Sequence, residues 1–296
     1  MAAIDGTKLD GFASTATLTG SIVSVTLSGM AAISLSPDGF PMAPSQEVWD
    51  ALDAEERARV VAELPNEVTD AEIAMPEGDR HYQAKSRTLD ALRGYYARQC
   101  RRIYLAAELP IYYPAEPRFA PDLLAVVDAE DSLRDKWVVS AEGKGLDWVM
   151  EVHVGGDRKK DAERNVARYA RLGIPEYFLY DRARNQLLAH RLSTPGATAY
   201  SPIVPQHGRY ESRVLGLEVE VAQDRLRFFA GAAMLLESDE LIVRLEQMLE
   251  QVQQRADEET RRREEETRLR KEEARRREEA EREVARLREE LDRLKR

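Results

Sequence analysis

Hydrophobic and polar positions repeat along the chain with changing periods, and each change marks an element. Val60, Val61 and Leu64 form an apolar stripe just after Asp53 and Glu56, whose spacing matches a capping box, so a helix begins there. Pro65 ends it, and residues 66–78 read as a loop with a short strand near Ile73. Asp79 is placed to cap a second helix running to about Gln99, with Tyr82, Leu89, Leu92, Tyr95 and Tyr96 as its apolar positions. Two strand-like pieces follow, "RIYLAAEL" and "PIYYP". The runs "PDLLAVVD" and "DWVMEVHV" are β-rich and apolar on both faces, as strands inside a sheet are. The polar residues 129–146 between them read as a loop. "DRKKDAERNVARYARLG" is a helix closed by Gly173. "EYFLYDR" and "QLLAHRLS" are strands joined at "ARNQ" by a hairpin turn, and "RVLGLEVEVAQDRLRFF" reads as antiparallel amphipathic strands. This order of helix, strands, crossover helix and strand predicts an α/β fold, a mixed sheet flanked by helices.

The pattern changes again near Ser238. Leu241, Leu245, Met248 and Val252 are spaced 4, 3 and 4, a short heptad run. From Asp257 to Glu283 the same positions fill with Arg and Glu, and Val284, Leu287, Leu291 and Leu294 resume spacings of 3, 4 and 3 in another register. Opposite charges three and four residues apart support a long helix, either alone in solvent or as a weak coiled coil. Residues 238–296 are therefore expected to be a charged helical or coiled-coil tail, and residues 44–237 the core. Residues 1–43 read as an unstructured leader, with Met30 and Met42 as alternative starts. Residues 11–37 carry no charge and are long enough to span a bilayer, but they are rich in Ser, Thr and Gly and follow no basic segment. The expectation is a cytoplasmic protein without a membrane anchor.

Charge narrows the partners. The formal net charge is −10, yet Asp257–Arg296 holds 15 acidic and 15 basic residues, so the whole excess lies in residues 1–256. A body this acidic is no broad polyanion binder, and contact with nucleic acid must be local or assisted by metal ions. Cys100 is the single cysteine, which excludes an internal disulfide and a cysteine zinc site.

The candidate chemistry lies in the two apolar strands. Glu151 and His153 alternate with Met150, Val152 and Val154, so the two share one face. If the strands are neighbours, Asp122 faces Glu151. Two converging carboxylates with no cation nearby repel, and one takes a proton unless a divalent ion joins them. Their oxygens suit Mg²⁺ or Mn²⁺. In the following helix Asp161, Asn165 and Tyr169 recur every four residues, and Arg158, Lys159 and Lys160 stand at its start, where backbone amides also favour anions. Plainer readings stay open: Asp122 caps a strand, Glu151 pairs with an arginine, His153 belongs to the core or its rim, Asp161 meets the helix dipole, and Tyr169 packs on the sheet. His81 reads as structural or solvent-facing.

"APDLLAVVD" followed by "DWVMEVHVGGDRKKDAERNVARYARLGIPEYFLYD" resembles the Uma family of putative restriction endonucleases, part of the PD-(D/E)xK nuclease superfamily. The likeness runs from about Gln46 to Leu236 and includes "MPEGDRH" and "LGIPEYFLYD". It implies a restriction-endonuclease-like core and a DNA phosphodiesterase site dependent on Mg²⁺ or Mn²⁺. By position it makes Asp122 and Glu151 the metal carboxylates, Asp161 the acid of the helix string, and Glu72 an upstream acid. The family usually carries a lysine where this chain has Asn165, so His153 or Lys160 is expected to replace it. DNA is the implied partner, with a second copy or another protein on the C-terminal helix. The alternative is a catalytically impaired nuclease fold that binds DNA or a protein through that helix.

Overall fold

The computed structural model describes residues 33–67, 78–154 and 158–294, with the backbone alone over 158–162. The strand expected near Ile73 and the upstream acid Glu72 lie outside the described residues. In chain order the elements begin with β1 (Ser34–Leu35), β2 (Pro41–Met42), α1 (Gln46–Ala51), α2 (Ala54–Glu63) and α3 (Gly78–Gln99). Next come β3 (Ile103–Ala106), β4 (Ile111–Tyr112), β5 (Leu123–Val127), β6 (Trp137–Val138), α4 (Val139–Glu142), β7 (Trp148–His153) and α5 (Arg158–Arg171). They continue through β8 (Glu176–Asp181), β9 (Gln186–Leu192), β10 (Tyr200–Pro202), β11 (Tyr210–Ser212), β12 (Leu217–Ala222), β13 (Arg225–Ala230), β14 (Ala233–Met234) and α6 (Ser238–Leu294). The fold is mixed α/β, and its contacts divide into two units between Leu235 and Leu236.

The first unit is built on a six-stranded sheet in the order β10-β9-β8-β7-β5-β3. Only β7 and β8 run parallel, and α5 makes the crossover between them that a parallel pair requires. Strand alternation sorts the side chains of this sheet into two cores. On one face Leu123, Ala125, Trp148, Met150, Phe178 and Tyr180 pack under Leu92 and Tyr96 of α3 and under the four-stranded sheet β11-β12-β13-β14. On the other, Leu124, Val126, Val149, Tyr177 and Leu179 meet Tyr169 of α5, Ile111 and Trp137. A third cluster seats Trp49, Val60 and Leu64 of the N-terminal helices on Tyr112 and Val138.

Buried Glu176 fixes the two sheets to each other. Its carboxylate accepts from Arg191 Nε (2.7 Å), Ser212 Oγ (2.6 Å) and the Arg213 amide (2.9 Å), so a charge on β8 is fully answered by groups on β9 and around β11.

The helix signals read from the sequence correspond to observed caps. Asp53 accepts from the Glu56 amide and Glu56 from the Asp53 amide, both at 2.9 Å. Gly173 adopts φ 73° past the end of α5, and the Ile174 amide reaches back to the Tyr169 carbonyl at 3.1 Å, as a left-handed helix stop requires. Two expectations differ. Residues 129–146 are not wholly loop: β6 pairs parallel to β4, and Trp137 stacks on Tyr104 with Arg134 over both rings. Tyr82 is exposed, because the buried stripe of α3 runs through His81, Lys85, Thr88, Leu92 and Tyr96. Residues 33–43 fall in the stretch expected to be leader, and there β1 and β2 pair antiparallel and Ala43 is buried.

The second unit is α6, a helix of 57 residues with no buried side chain. Glutamates at 259, 266, 272, 273 and 278 each pair with an arginine four residues on. Such pairs add about 0.2–0.5 kcal/mol apiece and are oriented favourably, glutamate first. Among the described residues no helix is long and apolar enough to cross a membrane.

Deleting residues 257–296 is expected to leave the first unit folded, because that stretch has no buried side chain to lose. Thermal melts of truncated and full-length protein should agree within about 4 °C, the scale of a 1 kcal/mol change. A lost transition in the truncated protein would show that the helix supports the core.

Candidate functional site

The site forms where β5 starts beside the end of β7. Leu123 pairs with Met150, so Asp122, one residue earlier, arrives level with Glu151. The strand has not begun at Asp122, and its side chain takes the place of a strand partner: Oδ2 accepts the Val152 amide at 2.7 Å. The Asp122 amide in turn donates to Glu151 Oε2 at 3.3 Å. The two acids of the sequence motif thus converge, and each is bonded to the other's strand.

Helices on both faces reach this point. From α5, Tyr169 donates its hydroxyl to Glu151 Oε1 at 2.5 Å. From α3, His81 Nε2 stands 3.0 Å from Asp122 Oδ1 and Lys85 Nζ stands 3.5 Å from the same oxygen. Lys85 also pairs with Glu108, in the turn after β3. The pair is not without basic neighbours, since α3 brings two basic side chains to Asp122. His81, expected to be structural or solvent-facing, is buried against Asp122.

Sequence signals for these partners exist. His81, Lys85, Thr88 and Leu92 recur at spacings of four, three and four, the stripe of one helix face. Polar residues on a stripe that must face a core ask for a buried partner. Choosing Tyr82 as the first apolar position turned the helix by one residue and hid them. Tyr169 follows Asn165 by four residues on α5, but spacing alone does not show its hydroxyl bond to Glu151.

The surroundings split the acidities of the pair. Burial pushes Asp122 up, but His81, the Val152 amide and Lys85 together outweigh it and hold the carboxyl below its ordinary range. Glu151 goes the other way: burial first, then the Asp122 charge, push it up to about 8, against the pull of Tyr169 and the Asp122 amide. Near neutral pH one acid is ionised and its neighbour keeps a proton, the arrangement expected of two carboxyls in one dry place. Burial and then the adjoining Glu151 also drive the Tyr169 hydroxyl far up, so it keeps the proton that it donates to Glu151.

Among the described residues, His153 and Asn165 are not among these contacts. His153 ends β7, half-buried, on the face that alternation shares with Glu151. The hydrogen bonds and ion pairs of Asp122 and Glu151 are made by His81, Lys85, Tyr169 and backbone amides. Lys160 and Asp161 occupy the first turn of α5, but their side chains lie outside the described residues. Asn165 is half-buried one turn before Tyr169. Among the described residues no group of three or more His, Cys, Asp or Glu side chains forms a ready metal cage. Two carboxylates with water and phosphate oxygens nonetheless match what Mg²⁺ takes from proteins, whereas zinc would need a fuller set of protein ligands.

Comparison with known proteins follows the same lines. Residues 50–224 match the Uma2 family, described as "putative restriction endonuclease". Among solved structures, one similar chain is "a putative nuclease belonging to DUF820 from Anabaena variabilis ATCC 29413". It is 14% identical, covers 53% of this chain and 89% of its own, and superposes with a TM-score of 0.39. No curated protein matches the chain. The family match spans more than half of the 296 residues, and the chain belongs to the Uma2 family of putative restriction endonucleases.

Proposed function

We propose that the protein is a divalent-metal-dependent endonuclease that hydrolyses phosphodiester bonds of DNA, with Asp122 and Glu151 as the metal carboxylates. The observation that carries this reading is the convergence of the two acids, with the Asp122 amide donating to Glu151 and the Val152 amide, next to Glu151, donating to Asp122. Family membership supports the reaction class. A Mg²⁺ or Mn²⁺ ion bound there supplies Lewis acidity and an activated water.

The protein's own groups do the rest. His81, Lys85 and the Val152 amide keep Asp122 ionised and aimed. Tyr169 fixes Glu151 Oε1, leaving the glutamate a single orientation. Glu151 holds a proton that must leave before both carboxylates can act as ligands, so metal binding tightens as pH rises. His153, on the Glu151 face of β7, and Lys160 and Asp161, in the first turn of α5, complete the proposed site. The second reading, a nuclease fold that binds DNA or a protein without cutting, is favoured by Asn165 where relatives carry a lysine and by the solvent-exposed α6. On that helix Leu245, Met248 and Val252 are exposed at heptad spacing, suited to a second copy or a partner helix.

Cleavage of supercoiled plasmid is expected with Mg²⁺ or Mn²⁺ and none with EDTA. Asp122→Ala and Glu151→Ala should each lower the rate by at least about a hundredfold, the scale of losing a major transition-state contact of about 2.7 kcal/mol. Calorimetry with Mn²⁺ should show the same two variants losing the ion. If all three proteins bind Mn²⁺ alike, the metal assignment fails; if wild type binds it yet leaves the plasmid intact, the non-cutting reading replaces hydrolysis.

A second expectation concerns stability without metal. A glutamate raised from 4.5 to about 8 in the folded state favours folding at acid pH, and that contribution is lost as pH rises through about 8. Glu151→Gln cannot ionise. In EDTA it should therefore melt higher than wild type at pH 8.5, with the gap closing near pH 5. Parallel melting profiles from pH 5 to 8.5 would show that Glu151 ionises freely in the fold.

A further inference from the structure

From the contacts around Asp122 we infer that Lys85 is the cation that receives the DNA phosphate, and that Glu108 occupies its ammonium until the phosphate arrives. The inference rests on the reading of the site as one that binds a phosphodiester. Lys85 lies on the buried stripe of α3, and its side chain is only 10% exposed. An ammonium so placed needs anionic partners. It has two, and they differ. Asp122, 16% exposed, stands 3.5 Å away and already meets His81 at 3.0 Å. Glu108, 48% exposed, is the nearer partner and the wetter one.

Lys85 is one of three groups that hold Asp122, beside His81 on Oδ1 and the Val152 amide on Oδ2, so Asp122 does not depend on the ammonium alone. Glu108 is instead brought in at a conformational cost. Its backbone sits at φ 53°, a region non-glycine residues rarely hold, and its amide is tied to the Pro121 carbonyl at 3.0 Å. The turn after β3 thus presents a carboxylate beside Asp122, on the side of Lys85 that solvent reaches. A phosphate oxygen approaching Asp122 and Glu151 can replace Glu108 on the ammonium, one anion exchanged for another, so the buried charge is never left unpaired. Glu108 then returns to water, which its exposure allows. Among the described residues Lys85 is the lysine or arginine that ion-pairs with Asp122.

The test uses full-length protein and a fluorescein-labelled DNA duplex, with anisotropy measured in Ca²⁺ across a salt series. Lys85→Met should weaken binding about tenfold, the scale of one charge-assisted contact, and lower the slope of log affinity against log salt by about one. Glu108→Gln should act in the opposite sense and tighten binding about threefold, the scale of releasing one half-exposed ion pair. A purely structural Lys85–Glu108 pair predicts losses from both substitutions and an unchanged salt slope, and either result overturns the inference. If Lys85→Met does not fold, Glu108→Gln decides alone: tighter binding supports the exchange, unchanged or weaker binding overturns it. Plasmid cleavage in Mg²⁺ separates this from the wider reading. A wild type that cuts while neither substitution changes DNA affinity removes only the role of Lys85. A wild type that never cuts but shows the opposed shifts removes only hydrolysis.

Discussion

Two carboxyl groups held together out of water set the terms for the rest of this fold. Asp122 and Glu151 are joined through the Asp122 amide at 3.3 Å, and neither is exposed. Coulomb repulsion at such range in a dry site forbids both from being charged without help. The chain meets this constraint from four elements at once: α3 supplies His81 and Lys85, β7 the Val152 amide, α5 the Tyr169 hydroxyl, and β5 the acid itself. What is left over is a proton on Glu151. A site in that condition is incomplete in a specific chemical sense, since one divalent cation would satisfy both oxygens and release the proton.

Glu176 is the useful contrast. It is more deeply buried than Glu151, at 1% exposure, and lies on the neighbouring strand, yet Arg191, Ser212 and the Arg213 amide satisfy it within the protein. That acid joins the two sheets and has no capacity to spare. Both glutamates stand in largely apolar strands, though β8 also ends in Asp181. The difference is that a guanidinium reaches one of them, while the other meets a second carboxylate. Burial alone therefore does not mark a site in this fold. Burial with like charge does.

Much of this was legible in the chain itself. Strand alternation put Glu151 and His153 on one face and Asp122 at the head of the adjoining strand, and the register Leu123 to Met150 realises that meeting. Caps at Asp53 and Gly173 were readable because each is a local device completed within a few residues. Lys85 and Glu108 were not readable as partners, being 23 positions apart and joined only when α3 lies across the turn after β3. The ribbon of β4 and β6 was missed for a similar reason. Two-residue strands carry no period, and their pairing joins residues 26 positions apart, Ile111 with Trp137 and Tyr112 with Val138. Local patterns survive in sequence, whereas contacts between distant turns do not.

The distribution of charge ties these points together. Residues 236–256 hold five acidic and two basic side chains, so −7 of the formal −10 falls on residues 1–235, and a DNA duplex meets net repulsion once it comes within the Debye length of about 10 Å at 0.1 M salt. Binding at the acid pair then has to be driven by cations concentrated at the site itself, and a divalent ion with Lys85 provides three positive charges in one place. An acidic body also penalises non-specific binding, which depends on many weak phosphate contacts, more than it penalises a short engagement at one phosphate. If the site acts as proposed, a bound metal and Lys85 would favour one phosphate on a body whose net charge opposes DNA, so the two acids, the buried ammonium beside them and the overall negative charge would work together.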